Sequence, residues 1–569
     1  MAPAAGAISG ADCRLATVSS IAANLLSEQP GRGARFSAAV ALVALPWLVS
    51  FTAGPSSSAW QWFASAGCAC FLAGLSRWRP SSAYGGFAAA SLVLVAWAWL
   101  SQEHPQPDVL YLAGGLALIA LAAAAAQDIQ LRSAIAMGLL VAAAVSAALG
   151  LLQYLGLADR LYPWVNAARP GEAYANLRQP NQFATLCSIG IAMVVWGFPK
   201  IPRAAVLALG ALFAVASAAS VSRTGAVQGI LLFTLAAIWR GEGRRDRVVL
   251  CLSGGIVYLA AAWALPQMLE AMGEVPTRTL WGRISGGESC SSRTVLWSNV
   301  LTLIAARPLQ GWGWGELDFA HFTNLYPGSR FCEILDNAHN LPLHLAVELG
   351  LPAAIAVCTA AMVWAWRREP LREQDSGRQS AWALLGVLLL HSLLEYPLWY
   401  GPFQIALGTC IGWLLTKPGE AAAPSSRRVT GVVAALAFLG VAAVAWDYWR
   451  VSQIYLPAQE RRSDWARDPM TEARRSWAFA NQAQFAELTL TSLSRDNAQW
   501  IYDLSKEMLH HSPEPKVIER LIESATMTGR TEEAVVLLAR YRAAFPNEYQ
   551  TWREAQRRAS GPGPSKAQD

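Results

Sequence analysis

The chain has 569 residues, of which 54% are hydrophobic and only 15% are charged, and it contains 25 Trp. Soluble proteins carry about 25% charged residues, so this composition excludes an ordinary soluble protein and indicates a membrane protein. The formal net charge of +6 is small, and the basic residues lie in short clusters between apolar segments, which argues against a nucleic-acid partner.

The N-terminal segment, residues 1–35, contains no long apolar core. A cleaved signal peptide requires such a core, so we interpret this segment as a disordered cytoplasmic tail rich in Ala, Gly and Ser. Insertion into the membrane is then expected to begin with the first spanning helix.

Apolar segments follow along most of the chain, and each is expected to be a membrane-spanning helix. A spanning helix needs about 17–25 mostly apolar residues to cross the bilayer. About thirteen segments are candidates by this criterion; several of them are short, and the boundaries are good to a few residues. Their approximate ranges are 36–53, 58–75, 86–101, 108–126, 133–156, 180–198, 204–221, 224–240, 247–268, 350–366, 381–396, 401–416 and 429–447. The predicted fold class is therefore an all-α, polytopic membrane protein.

The distribution of Lys and Arg sets the predicted orientation, because basic residues favour cytoplasmic loops. With a cytoplasmic N-terminus, the loops expected inside contain Arg77, Arg79, Arg132, Lys200, Arg203, Arg240, Arg244, Arg245, Arg247, Arg367, Arg368, Arg372, Arg378, Lys417, Arg427 and Arg428.

This orientation predicts six regions. They are the tail at 1–35, about nine helices in 36–268, a large periplasmic catalytic loop at 269–349, about four helices in 350–450, a periplasmic helical domain at 451–555 and a disordered tail at 556–569.

Two arginines on the outer side contradict the positive-inside trend. Arg178 lies at the entry to a span, in Leu-Arg-Gln-Pro-Asn-Gln-Phe, and Arg223 lies in the tight turn Val-Ser-Arg-Thr-Gly. A guanidinium offers several donors and stays charged, so it suits a diphosphate or carboxylate ligand. The alternative is interfacial anchoring, in which the side chain extends toward the headgroups.

The long periplasmic loop contains two cysteines, Cys290 and Cys332, whereas most of the others lie inside apolar spans. An oxidising compartment favours a disulfide between them over two free thiols. In the same loop, Gly311–Glu316 reads Gly-Trp-Gly-Trp-Gly-Glu. Because no strand is predicted before it, we interpret it as a turn after a helix at about 292–306 and not as a phosphate-binding loop.

His339 lies where the loop ends and a span begins, so it is expected near the boundary between water and lipid. An ordinary histidine pKa of about 6.5 suits proton transfer near neutral pH. A capping or hydrogen-bonded structural histidine is the alternative. His339 and His344 are five residues apart, about 140° around a helix, so they do not form the zinc-binding pair that a spacing of four would give. No metal is expected, and His344 and His391, with mostly apolar neighbours, are expected to be structural.

The C-terminal region, residues 451–555, is charged and helical in pattern. Within it, residues 519–546 resemble one tetratricopeptide repeat, a helix–turn–helix unit of about 34 residues. A small α-helical domain of this type is expected either to present acceptor proteins or to brace the transmembrane core.

The motifs resemble those of a known group of enzymes. Arg307–Gly313 followed by His339–Leu343 and Glu348–Gly350 resembles the shared signature of O-antigen ligases, O-antigen polymerases and bacterial O-oligosaccharyltransferases. Arg178–Ala184 (Arg-Gln-Pro-Asn-Gln-Phe-Ala) and His391–Tyr400 (His-Ser-Leu-Leu-Glu-Tyr-Pro-Leu-Trp-Tyr) are similar to the PglL-type general O-oligosaccharyltransferases. The resemblance covers roughly residues 140–450.

The resemblance implies a GT-C-like, inverting glycosyltransferase that needs no metal or other cofactor. Its donor is then a glycan on undecaprenyl diphosphate, and its acceptor a Ser or Thr hydroxyl of a pilin or another exported protein. By resemblance, His339 is the base, Arg178 and Arg223 hold the diphosphate, Gln179 and Tyr396 line the site, and Arg293 contacts the donor.

Two alternatives stay open. An O-antigen ligase transfers the same kind of glycan to lipid A-core, and a polymerase transfers it to another glycan. A transporter for lipid-linked sugars uses arginines to guide a phosphate across the membrane, but the internal repeat expected of one is not visible here.

Overall fold

The computed structural model describes residues 30–77, 81–104, 107–198, 202–241, 243–274, 290–416, 427–462 and 467–560, and all regular elements in these ranges are helices. Several predicted features lie outside the described residues. They are the tail up to residue 29, Arg79, Lys200, Lys417, loop residues 275–289 and the last nine residues of the C-terminal tail.

The helices of the first part of the chain are numbered here in chain order. They are α1 (Pro30–Leu48), α2 (Ala59–Leu75), α3 (Ser82–Leu100), α4 (Asp108–Ala126), α5 (Ile129–Tyr154), α6 (Pro180–Ala192, continued by a π-helical turn Met193–Gly197), α7 (Arg203–Ala219), α8 (Arg223–Ile238) and α9 (Arg244–Ala271).

The helices of the second part continue the numbering. They are α10 (Arg293–Ala306), α11 (Leu317–Thr323), α12 (Leu341–Arg367), α13 (Ser376–Ser392), α14 (Gly401–Leu415), α15 (Arg427–Ser452), α16 (Pro469–Ala473), α17 (Ala480–Leu490), α18 (Ala498–Met508), α19 (Pro515–Met527), α20 (Thr531–Ala544) and α21 (Pro546–Ser560). Short 3₁₀ turns occupy Ala158–Leu161, Ala175–Leu177, Pro370–Arg372, Pro397–Trp399 and Gln453–Tyr455.

A helix covers most of each apolar segment that was predicted to span the membrane. In the described ranges, six helical segments are long and apolar enough to cross a bilayer: Ser82–Leu100, Asp108–Ala126, Ile129–Tyr154, Arg244–Ala271, Leu341–Arg372 and Arg428–Tyr455. Several others, such as α7 and α8, are apolar but shorter. The fold is therefore that of a helical membrane protein, while the full set of about thirteen spans stays a prediction.

Some apolar helices leave their side chains uncovered. Leu92 of α3 is 71% exposed, and Ile256 and Trp263 of α9 are 62% and 66% exposed. A helix that is apolar on all sides but packs on few neighbours is stable only in an apolar solvent. These exposed surfaces fit lipid contact.

The connections between helices gather at two opposite ends of the bundle. At one end, which we call the basic end, Arg35 forms an ion pair with Asp128, Arg247 donates to Gln379 at 2.6 Å, and Arg368 donates to the Leu414 carbonyl at 2.7 Å. These residues belong to the loops predicted inside or to the helix ends beside them.

At the other end, which we call the site end, a second set of connections is joined. Asn176 donates to the Leu48 carbonyl at 2.8 Å, the Tyr448 hydroxyl donates to the Ser56 carbonyl at 2.9 Å, and Ser222 donates to Asn181 at 2.7 Å. The two sets match a chain path in which successive helices run alternately from the basic end to the site end and back.

Helix α12 is broken at Gly350, where φ is 84° and ψ is 162°. The turn before α11 fills the break: the amides of Trp312 and Gly313 donate to the carbonyls of Val347 and Glu348 at 2.9 and 3.0 Å. Backbone groups freed by the break are thus satisfied by this turn, which removes the cost of burying them unpaired.

The C-terminal helices, which we define as α16 to α21, pack against the site end. Phe322 of α11 is buried in the same apolar cluster as Ile501, Leu521 and Tyr541. Helix α21 continues to Ser560, with Glu554 and Arg558 paired one turn apart, so the boundary predicted at residue 555 lies inside a helix. Likewise α1 begins at Pro30, five residues before the predicted end of the N-terminal tail.

Candidate active site

His339 is held by its backbone and by the start of α12. Its φ is 49°, a left-handed conformation that a residue with a side chain rarely adopts, and its amide donates to the Asn337 side chain at 2.8 Å. Asn340 caps α12 by accepting from the Leu343 amide at 3.1 Å, and it donates to the Leu393 carbonyl at 3.0 Å. Hydrogen bonds of the residues before and after His339 therefore fix its backbone, and with it the position of the imidazole.

The imidazole of His339 is paired with Glu395. Nδ1 lies 2.7 Å from Oε2 of the carboxylate, and the two side chains are 18% and 12% exposed. An ionised carboxylate only accepts hydrogen bonds, so Nδ1 carries a proton, and in the neutral imidazole the lone pair is then on Nε2. The arrangement prepares His339 to accept a proton at Nε2.

The carboxylate of Glu395 is held by two further donors through its other oxygen. Arg293 forms a short ion pair with Oε1, and the Asn181 side-chain amide donates to the same atom at 3.2 Å. Burial by itself raises the pKa of Glu395, but the hydrogen bond from His339 and the charge of Arg293 outweigh it and lower the pKa. Glu395 is therefore ionised at neutral pH.

Tyr396 and Gln179 lie beside this pair. The ring of Tyr396 meets His339 edge-on, with centroids 4.8 Å apart, and burial raises the pKa of its hydroxyl, which stays protonated. Both residues line a small cavity together with Gln182, His391, Glu395, Pro397 and Tyr400. Of the residues predicted from the sequence, His339, Arg293, Tyr396 and Gln179 are thus brought together.

Arg178 and Arg223 both lie at the site end, but their surroundings differ. Arg178 has a left-handed φ of 59°, and its Nη2 donates to the Ser57 carbonyl at 2.6 Å. Its Nη1 is buried, and no residue that the structure describes gives it a hydrogen-bond partner. Arg223 is exposed and is the first residue of α8, one residue after Ser222.

Five helices begin at this site. Gln179, Ser222, Ser292, Asn340 and Tyr400 precede α6, α8, α10, α12 and α14 respectively, and the first four accept a backbone hydrogen bond as N-caps. Helix N-termini carry partial positive charge and unpaired amides, which favour anions. The site end is therefore suited to a negatively charged group.

Three residues of the cluster were not predicted as site residues: Glu395, Asn181 and Ser222. The signal for Glu395 was present, because a carboxylate at the end of an apolar segment is costly unless it has a function or a partner. Asn181 and Ser222 are small polar residues at helix starts, and the sequence pattern predicts capping there equally well.

The other two histidines of the motifs are buried. His344 is 1% exposed and lies between Trp314 and Trp399, and His391 is fully buried with Nδ1 2.9 Å from the Thr185 hydroxyl. Among the residues that the structure describes, no group of three His, Cys, Asp or Glu is arranged to hold a metal ion.

The long loop is cross-linked. Cys290 and Cys332 form a disulfide with Cα atoms 5.5 Å apart, joining the start of α10 to the segment before His339. The bond closes a loop with a sequence separation of 42.

Three family models match consecutive parts of the chain. Residues 173–196 match the family described as "Protein glycosylation ligase", residues 204–358 match "O-Antigen ligase", and residues 379–560 match "Virulence factor membrane-bound polymerase, C-terminal". Each of the three segments contributes residues to the cluster around His339.

Two curated relatives come from Acinetobacter baylyi. A "General O-oligosaccharyltransferase" is 25% identical over 331 residues, which are 56% of this chain and 56% of the relative. A "ComP-specific O-oligosaccharyltransferase" is 25% identical over 252 residues, 43% of this chain and 44% of the relative. The chain spans about half the length of the curated relatives it matches. These matches confirm the resemblance to O-oligosaccharyltransferases and O-antigen ligases that the motifs indicated.

Proposed function

We propose that this membrane protein, a relative of O-oligosaccharyltransferases, transfers a glycan from undecaprenyl diphosphate to Ser or Thr hydroxyls of exported proteins, pilin among them. The observation that carries the proposal is the His339–Glu395–Arg293 cluster at the meeting point of five helix N-termini. The site end then faces the periplasm, and the chain crosses the bacterial inner membrane about thirteen times.

The proposed reaction exchanges one C–O bond for another. The acceptor hydroxyl oxygen attacks the anomeric carbon from the face opposite the diphosphate, and its proton passes to Nε2 of His339. The electron pair of the broken glycosyl–phosphate bond remains on the leaving diphosphate, and the configuration at the anomeric carbon is inverted. General-base catalysis by a positioned histidine contributes about 10²–10⁴-fold to the rate.

Fixed positive groups stabilise the charge that develops on the leaving diphosphate. Arg178 offers a buried Nη1 that has no hydrogen-bond partner among the described residues, and Arg223, whose side chain is exposed, begins α8 at the same end. Preorganised donors of this kind cost no reorganisation during the reaction, so they support a transfer that uses no metal ion. Arg293 pairs with Glu395 through Nη2, so it supports that carboxylate, and its other guanidinium N–H groups are assigned to donor contact.

The alternative is the same chemistry with a different acceptor. The match of residues 204–358 to the O-antigen ligase family favours lipid A-core, and the C-terminal match to a membrane-bound polymerase family favours another glycan. The segments around Arg178 and Tyr396 favour a protein acceptor, because they resemble the general O-oligosaccharyltransferases.

The test uses purified protein in nanodiscs, wild type and His339→Ala, with EDTA present. Undecaprenyl-diphosphate glycan is offered with a pilin-like protein or with lipid A-core. Transfer to protein that is lost in the variant supports the proposal. Transfer only to lipid A-core identifies a ligase instead, and an intact donor with neither acceptor modified overturns both.

A further inference from the structure

The turn Gly311–Gly315 and the adjoining Glu316 have no part in the proposed chemistry, yet they are tightly built. Gly311 packs so closely on α12 that a Cβ atom there would lie 2.4 Å from the Glu348 carbonyl oxygen. The Gly315 amide donates to the Glu348 carboxylate at 3.1 Å. The turn therefore has one permitted position against the broken helix.

Glu316 joins this turn to the C-terminal helices. Its side chain is 5% exposed, and Oε2 lies 2.8 Å from Nδ1 of His510, a residue 194 positions away in the sequence. The His510 ring also stacks on Phe319, with centroids 3.8 Å apart. One side chain of the C-terminal helices thus contacts both the turn and the helix that follows it.

Glu316, which His510 contacts, lies near two further carboxylates, those of Asp108 and Glu348. The side chain of Asp108 packs against Gly315, within 3.1 Å of where a Cβ atom would lie, and the Glu348 carboxylate accepts from the Gly315 amide. The ring of His104 lies 4.3 Å from that of His510. A buried carboxylate that loses its donor is strongly unfavourable, so removing His510 destabilises the position of the turn.

A continuous set of ring contacts leads from the turn to the candidate base. Trp314 meets His344 at 5.4 Å, His344 meets Trp399 at 5.6 Å, and Trp399 meets Tyr396 at 5.8 Å. Tyr396 then contacts His339 at 4.8 Å. Close-packed side chains transmit a displacement because the interior has little free volume.

We infer that Glu316 and His510 are positioning residues for the proposed transfer. Docking of the C-terminal helices fixes the Gly311–Gly315 turn through Glu316. The turn in turn holds His339 and Glu395 in position through Trp314, His344 and the 396–399 segment. The inference rests on the proposed function for its effect on rate. Its structural part, the coupling between the docked helices and the site, is independent of that function.

The first test is a double-mutant cycle on kcat with the full-length protein in nanodiscs. His510→Ala is expected to lower kcat about 10-fold in the wild-type background and less than about 2-fold in the Glu395→Gln background. Such non-additivity arises only if His510 acts through the His339–Glu395 pair. A merely structural loss of folded protein lowers kcat by the same factor in both backgrounds, and that result overturns the inference.

Two further variants accompany the cycle. His511→Ala is the matched control, because His511 is the next residue and its ring contacts Phe485 within the C-terminal helices; kcat is expected to change less than about 2-fold. Glu316→Gln keeps the shape of the side chain and one acceptor, so a smaller loss, about 3-fold, is expected. It replaces His510→Ala in the cycle should that variant not fold.

The second test is hydrogen exchange of the wild type and His510→Ala, which requires no transfer activity. Faster exchange is expected at residues 308–316 and 393–400, with no change at 127–137 of the basic end. Faster exchange confined to residues 498–545 overturns the inference. A wild type that transfers no glycan refutes the proposed function instead, and the exchange pattern still decides the coupling.

Discussion

Nδ1 of His339 lies 2.7 Å from Oε2 of Glu395, although 56 residues separate the two in the sequence. The first belongs to the end of the long loop and the second to the connection between α13 and α14. The contact orients the imidazole of His339, and most predictions from the proposed function depend on this pair.

Glu395→Gln is expected to lower kcat about 10- to 100-fold, because the amide no longer fixes the proton on Nδ1 of His339. The KM for the lipid-linked donor should stay within about 2-fold, since Glu395 faces the base and not the donor. Steady-state kinetics in nanodiscs measure both values. An unchanged kcat would show that His339 does not need this partner.

Stability should depend on pH through the same carboxylate. The folded-state pKa of Glu395 is lower than its ordinary value of 4.5, so its ionisation stabilises the fold above that value and the stabilisation is lost as the pH falls through the lower pKa. The difference in unfolding temperature between wild type and Glu395→Gln should be constant above about pH 5 and shrink below it. A difference that grows toward acid pH would contradict this assignment.

Gly350→Ala should disrupt the broken helix. A Cβ atom there would lie 2.1 Å from the Leu309 carbonyl oxygen, and the φ of 84° disfavours any side chain. We expect a loss of about 3 kcal/mol or more in the free energy of unfolding, measured by denaturant titration in detergent. Gly255→Ala is the control, because among the described residues no atom outside the backbone of its own helix turn lies within 4 Å of the added Cβ. Equal stability of the two variants would refute the role of the break.

Arg178→Ala should weaken donor binding. The variant removes the buried Nη1 donor together with the bond from Nη2 to the Ser57 carbonyl. The KM for the undecaprenyl-diphosphate donor is expected to rise about 10-fold or more, because hydrogen bonds to charged groups contribute about 1.5–3 kcal/mol each. Arg178→Lys keeps the charge but not the planar fork, so it should recover only part of the loss. Full activity of the alanine variant would remove Arg178 from the site.

Cys290→Ser should destabilise the loop that carries His339. Closing a loop with a sequence separation of 42 restricts the unfolded chain, and a disulfide of this kind stabilises by about 2–4 kcal/mol. The Cys290→Ser/Cys332→Ser double variant should match the single variant, because each removes the same bond. Thermal unfolding measures the loss, and peptide mapping after alkylation verifies the bond in the wild type. A double variant as stable as wild type would contradict the prediction.

The positions of the helices and their apolar character follow from the local sequence. Apolar runs long enough to fill a bilayer form helices wherever they occur, because only an internally hydrogen-bonded backbone is stable in lipid. Among the described residues, Arg35, Arg247 and Arg368 likewise lie at the basic end. The sequence also singled out His339, Arg293, Tyr396 and Gln179, whose roles stay predictions, because they lie in polar segments between apolar runs.

Only the tertiary structure decided which of these residues meet. Glu395 and Arg293 are 102 residues apart, and no periodicity within either segment predicts that the start of α10 meets the connection between α13 and α14. The break at Gly350 is also a tertiary feature. An isolated helix would keep its own hydrogen bonds, and the break is stable only because the Gly311–Gly315 turn supplies partners for the freed carbonyls. The docking of His510 on Glu316 depends on the same long-range packing. Sequence determines where helices form through local backbone and lipid energetics, whereas the site requires contacts between distant segments whose free energy exists only after the bundle has closed.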